Sequence, residues 1–142
     1  MTLHSEILIT NNIKSKVELA VIMSIYIRTE VFEIRRAINS LENQQNIKFD
    51  LLIHIDGDIK KDVFYFVKTY SPKGSISNYS LYKSNKCIGL ASAMNNLILN
   101  NFSKYEYFAR HDSDDYSSKN RIITQIKFLE KNQKVDIVGT GF

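Results

Sequence analysis

The residues best placed to do chemistry are His111-Asp112-Ser113-Asp114-Asp115, which follow the mostly apolar run Tyr105 to Arg110. If that run is a strand, residues two apart share a face, so Asp112 and Asp114 can address one point as the chain leaves the sheet. Clustered carboxylates repel one another and are most easily tolerated beside a cation. Hard oxygen ligands of this kind suit Mg²⁺ or Mn²⁺, held by one or two carboxylates and completed by a substrate's phosphates. The competing reading is an exposed acidic turn that caps the next helix.

The rest of the chain supplies the elements that would position this turn. Glu18 to Tyr26 is a continuous apolar run of strand length, as in a buried parallel strand. Val31, Ile34, Ile38 and Leu41 recur at helical spacing, with Thr29 as the expected cap. Phe49 to Ile55 reads as a second strand stopped by Asp56-Gly57-Asp58, and a short helix is expected from Lys60 to Thr69, ended by Ser71-Pro72-Lys73-Gly74. A third strand spans Ile76 to Lys83, and a turn spans Asn85 to Gly89. A helix then runs from Leu90 toward Asn100-Asn101. After the acidic turn, Ser117 or Ser118 would cap a helix carrying Ile122, Ile123, Ile126 and Leu129, and Val135 to Gly139 opens a last strand.

Alternation of this kind predicts βαβ units: an α/β fold, a three-layer α/β/α sandwich with a mostly parallel sheet. Ligands of such sheets bind beyond the carboxyl ends of the strands. Here those ends are Tyr26, Asp56, the Asn85 to Gly89 turn, and Asp112 with Asp114, four polar or turn-forming points converging on one crevice.

Composition narrows the class. The chain has 142 residues, one domain's worth, with 24% charged residues and a net charge of +4. No apolar run approaches the roughly 20 residues that span a bilayer, and Ile7-Leu8-Ile9 is too short for a signal peptide's apolar region. A cytoplasmic location is therefore expected. Cys87 is the single cysteine, which excludes an intrachain disulfide and a cysteine-based zinc site. Late lysines and arginines (Lys119, Arg121, Lys127, Lys131, Lys134) read first as a solvated helix face and second as contact with an anionic membrane surface or phosphate-bearing partner. A calcium loop starting at Asp112 would need glycine at Ser117 and glutamate at Ile123. Gly-rich dinucleotide and P-loop motifs, and a Gly-x-Ser-x-Gly elbow, do not occur in the sequence.

Five blocks in order, Val21 to Tyr26, Phe49 to Gly57, Lys86 to Asn95, Ala109 to Asp115 and Arg121 to Glu130, closely resemble the nucleotide-binding half of family 2 glycosyltransferases. The likeness runs from Val17 to Phe142, leaving residues 1–16 as an N-terminal extension. It implies a GT-A fold, a UDP-sugar donor and Mn²⁺ or Mg²⁺. It also implies inverting, hexosyltransferase-type transfer to a glycan or lipid-linked glycan acceptor in cell-surface polysaccharide synthesis of the O-antigen or capsular type. Nucleic acid is not an expected partner; peripheral contact with the inner membrane surface is.

Carried over position by position, the resemblance implies that the turn Ser24, Ile25, Tyr26 meets the nucleotide with its backbone. It puts Asp56 on the uracil ring N3–H, and Lys86 and Gly89 near the nucleotide. Asp114 would be the direct metal ligand, and Asp112 would contact the ribose or a metal-bound water. No catalytic residue is assigned; the general base is expected in the acceptor half, beyond Phe142, so residues 1 to 142 alone are expected to lack transfer activity. The chain departs from the family pattern at Ile55, Cys87, Ile27 and Lys119. For single residues other roles stand beside these: turn capping for Asp56, a solvated loop for Lys86, packing for Tyr26, and pairing with Asp115 for Arg121. Two rival functions are a sugar-phosphate nucleotidyltransferase, which would want a Gly-rich loop where Ile27 to Glu30 stands, and a noncatalytic nucleotide-sugar-binding module.

Overall fold

The computed structural model describes residues 6–10 and 18–140. The expected extension at 1–5 and 11–16, and the expected domain ends Val17 and Phe142, lie outside the described residues. Among the described residues five strands and four helices follow one another: β1 (Glu6–Thr10), β2 (Leu19–Ile25), α1 (Val31–Glu42), β3 (Phe49–Asp56), α2 (Lys61–Thr69), β4 (Ile76–Ser84), α3 (Leu90–Asn101), β5 (Tyr107–Arg110) and α4 (Arg121–Lys131).

The sheet has the order β1-β4-β3-β2-β5. β4, β3, β2 and β5 run parallel, as the alternation of strands and helices requires, while β1 pairs antiparallel with β4 at the edge. This is the expected α/β/α sandwich, with unequal layers. One face of the sheet, carrying Val21, Met23 and Ile25 of β2 and Leu51, Ile53 and Ile55 of β3, packs on Ile34, Ile38 and Leu41 of α1, Val63 and Val67 of α2 and Ile122 of α4. The other face carries Ala20, Ile22, Leu52 and Tyr82 and meets only Met94 and Leu97 of α3 among the buried residues of that cluster. Because β2 and β3 are covered on both faces, their sequences are nearly all apolar.

The structure differs from the sequence expectations at four places. Glu6–Thr10, within the expected extension, is a strand: Ile7 and Ile9 register with Tyr82 and Leu81. Thr29 does not cap α1. The N-cap is Glu30, whose N–H is taken by the Glu33 carboxylate at 3.2 Å, while Thr29 is buried and its hydroxyl accepts the Tyr26 N–H at 3.1 Å. Neither Ser117 nor Ser118 caps α4; the N-cap position is Asn120, which makes no side-chain cap bond, and the turn before it is tied elsewhere, the N–H of Ser117 to the Ser40 hydroxyl and the carbonyl of Ser118 to the Gln44 amide. Val135 to Gly139 is not a strand: it has a strand's composition but no ladder partner among the described residues, and Ile137 is 88% exposed.

Candidate functional site

At the carboxyl ends of β2, β3 and β5 a cleft of about 540 Å³ is lined by Ser24, Tyr26, Arg28, Thr29, Glu33, Asp56, Cys87, Gly89, Leu90, Asp112, Ser113 and Asp114. Alternation along the strands decides which side chains reach it. Ser24 and Asp56 lie on the face that α3 covers, whereas Ile25 points to the opposite face and is fully buried in the core, so it can offer the cleft only its backbone. Lys86 is exposed and does not line the cleft. The structure thus brings Ser24, Tyr26, Asp56, Gly89, Asp112 and Asp114 together and leaves the side chains of Ile25 and Lys86 outside.

Asp56 ends β3 almost completely buried, and both its oxygens are in use. Oδ1 accepts the Ile88 N–H at 2.6 Å and the Ser84 hydroxyl at 3.4 Å; Oδ2 accepts the Gly89 N–H at 3.0 Å and the Cys87 thiol at 3.2 Å. Those two amides stand at the start of α3, where backbone donors lack helical partners. The carboxylate therefore fixes the loop into α3, not the turn into α2. Gly57, next in the chain, has φ +78°, and a Cβ there would sit 2.7 Å from the Cys87 nitrogen. Only glycine lets these two turns close on one another.

The acidic turn is held from α1 and from the loop that follows it. Arg36 donates to the Asp114 carbonyl at 2.6 Å, Ser40 Oγ accepts the Ser117 N–H at 3.1 Å, and buried Gln44 donates to the Ser118 carbonyl at 2.7 Å while accepting the Ile122 N–H at 3.1 Å. From the turn after β2, the Thr29 hydroxyl lies 3.5 Å from that of Ser113. Beneath the acidic turn, buried His111 donates from Nδ1 to the Asp112 carbonyl at 2.8 Å, and burial lowers its pKa. Arg121 donates to the Arg110 carbonyl at 3.3 Å; burial lowers its pKa while Asp115 opposes that through charge alone, with no ion pair formed between them. His54, fully buried on the same face as Asp56, has neither ring nitrogen partnered among the described residues, and burial pulls its pKa down so that the ring is neutral at pH 7.

The two carboxylates at the mouth differ. Asp112 is clasped by Arg110 through two parallel bonds, Nε to Oδ1 at 2.9 Å and Nη2 to Oδ2 at 2.8 Å, and those bonds, with the Asp112 charge behind them, raise the Arg110 pKa. Asp114 is exposed, and its carboxylate has no hydrogen bond or ion pair among the described residues. It presents uncommitted hard oxygens to the cleft. Among the described residues no three His, Cys, Asp or Glu side chains come together to hold a metal ion by themselves. The residues fit a divalent cation whose shell is completed by substrate oxygens and water, the habit of Mg²⁺ in phosphate sites.

Arg28, Thr29, Glu33 and Leu90 also line the cleft, although the sequence pattern does not single them out as site residues. For Arg28 a signal is present: a cation two residues beyond Tyr26, in the turn that leaves the first buried strand.

Comparison with known proteins gives the family. Over 105 residues, 72% of this chain, it is 33% identical to the bifunctional glycosyltransferase pgtA of Dictyostelium discoideum, of which it covers 13%. It is 25% identical over 119 residues to an uncharacterised glycosyltransferase of Methanocaldococcus jannaschii, covering 84% of this chain and 39% of that one. The crystal structure of S. aureus TarS 1-349 superposes with a TM-score of 0.66 at 20% identity, over 82% of this chain and 33% of that chain, which shows a shared fold. The chain thus spans less than half the length of these relatives. The family profile described as glycosyl transferase family 2 matches residues 20–142, a span that holds every residue lining the cleft, and the chain belongs to that family.

Proposed function

We propose that this chain is the donor-binding part of an inverting, metal-dependent glycosyltransferase that takes its sugar from a UDP-sugar and passes it to a glycan or lipid-linked glycan hydroxyl in cell-surface polysaccharide synthesis. The observation that carries the reading is the unpaired Asp114 carboxylate facing a cleft that also contains Asp56 and the start of α3. A divalent cation held by Asp114 would neutralise the charge that builds on the departing diphosphate. No helix of the described residues is long and apolar enough to cross a membrane, so membrane contact of this part would be peripheral.

The residues that would surround the base could also select it. A carboxylate offers about four acceptor positions, and those of Asp56 are filled by two amides, a hydroxyl and a thiol. A thiol is the weakest of these donors, and Cys87 lines the cleft. Uracil N3–H would displace it from Oδ2 and leave the two amide bonds intact; cytosine has no proton at that atom. Tyr26, 45% exposed at the cleft, supplies a ring face for the base. Unmade buried hydrogen bonds cost about 1–3 kcal/mol, so UDP should outcompete CDP by roughly 5- to 150-fold in Mn²⁺, and should also outcompete the larger GDP. Equal competition by the three diphosphates would remove uracil as the recognised base.

A further inference from the structure

The cleft's charges can be matched with partners one by one. Glu33 accepts the Glu30 N–H, Asp56 binds the loop into α3, and Asp112 is held by Arg110; Glu30, which does not line the cleft, pairs with Lys60. Two charged groups lining the cleft remain without a hydrogen bond or ion pair among the described residues, the anion Asp114 and the cation Arg28. Arg28 sits in a turn whose frame is fixed twice: the Thr29 N–H donates to the Tyr26 carbonyl at 3.0 Å, and the Thr29 hydroxyl accepts the Tyr26 N–H at 3.1 Å. Its backbone is therefore anchored to the end of β2, while its side chain is exposed and uncommitted.

Resting on the donor-binding reading above, we propose that Arg28 is the residue that binds the diphosphate directly, taking the negative charge that a cation on Asp114 leaves uncovered. A guanidinium presents a planar fork of donors that matches phosphate oxygens two at a time and stays charged at every working pH. The anchored turn supplies the positioning, because only side-chain freedom is lost on binding. Lys86, the cation suggested by sequence, does not line the cleft.

The test is equilibrium binding of UDP, UMP and uridine, each with Mn²⁺, to the wild-type chain and to Arg28→Gln, Arg28→Lys and Lys86→Gln. Removing a charge-assisted hydrogen bond to phosphate from an exposed side chain should weaken UDP binding by about 10- to 100-fold in Arg28→Gln. UMP should lose less and uridine nothing, with partial recovery in Arg28→Lys. Unchanged UDP affinity in Arg28→Gln, equal losses for all three ligands, or a larger UDP loss in Lys86→Gln would each overturn the assignment. Failure of the wild-type chain to bind UDP at all would instead remove the donor-binding reading, and this assignment with it.

Discussion

Replacing Asp114 with alanine is expected to weaken Mn²⁺-dependent UDP binding by at least about 10- to 100-fold, the loss that even indirect supports of a metal cause when removed. The reason lies in the unequal engagement of the two acidic side chains. Asp112 is tied to Arg110 by two bonds shorter than 3 Å, so a cation drawn to it must compete with a guanidinium already in place. Asp114 has no competitor, and its backbone is held by Arg36 from α1. The same change should leave the folded state nearly untouched, because an exposed side chain without partners contributes within about 0.5 kcal/mol. The corresponding change at Asp112 would free Arg110 and give a smaller loss. Titration calorimetry of both variants checks this ranking; an Asp112→Ala loss exceeding that of Asp114→Ala would reverse the roles.

Asp56→Ala should act on stability and recognition together. Its carboxylate joins β3 to the start of α3, and removal leaves the Ile88 and Gly89 amides and the Ser84 hydroxyl without this acceptor. Orphaned partly buried donors cost about 1–3 kcal/mol. Denaturant unfolding should therefore show a loss of that order, with the preference for UDP over CDP and GDP abolished in the same protein. Preserved base ranking with reduced stability would leave Asp56 as the fastener of the loop alone. Unchanged stability would contradict the bonding geometry around Asp56.

Much of this arrangement is legible in the sequence because it rests on local pattern. β2 and β3 read as unbroken apolar runs since the sheet is covered on both faces there, and α1, α2 and α3 keep their spacing because each buries one stripe, while α4 buries Ile122 fully and Ile126 in part. β1 is not legible, because Glu6–Thr10 is short and belongs to the sheet only through a long-range antiparallel pairing with β4. Val135 to Gly139 shows the converse, an apolar pattern that becomes a strand only if a neighbour offers ladder bonds. Thr29 misleads for a related reason: its hydroxyl has a choice between capping α1 and closing the turn at Tyr26, and residue type alone does not decide. At the cleft, Ser24, Tyr26, Asp56, Gly89, Asp112 and Asp114 are foreseeable as strand-end and turn residues. The grip of Arg36, Ser40 and Gln44 on the acidic turn is not, because on sequence Arg36 and Ser40 are merely polar positions of an amphipathic helix and Gln44 a polar residue of the loop after it, and their partners lie 74 to 78 residues away.

The measurement that bears most directly on the central claim is calorimetric titration of the 142-residue chain with UDP, once in Mn²⁺ and once in a chelator. Because Asp114 alone cannot complete a metal's shell, cation and diphosphate should each raise the other's affinity by the same factor, as linkage requires. UDP binding should then be clear with Mn²⁺ and at least about tenfold weaker without it, and Mn²⁺ should bind tightly only in the presence of UDP. Identical UDP affinity in the metal and in the chelator would contradict the claim that this cleft binds a nucleoside diphosphate through a cation on Asp114.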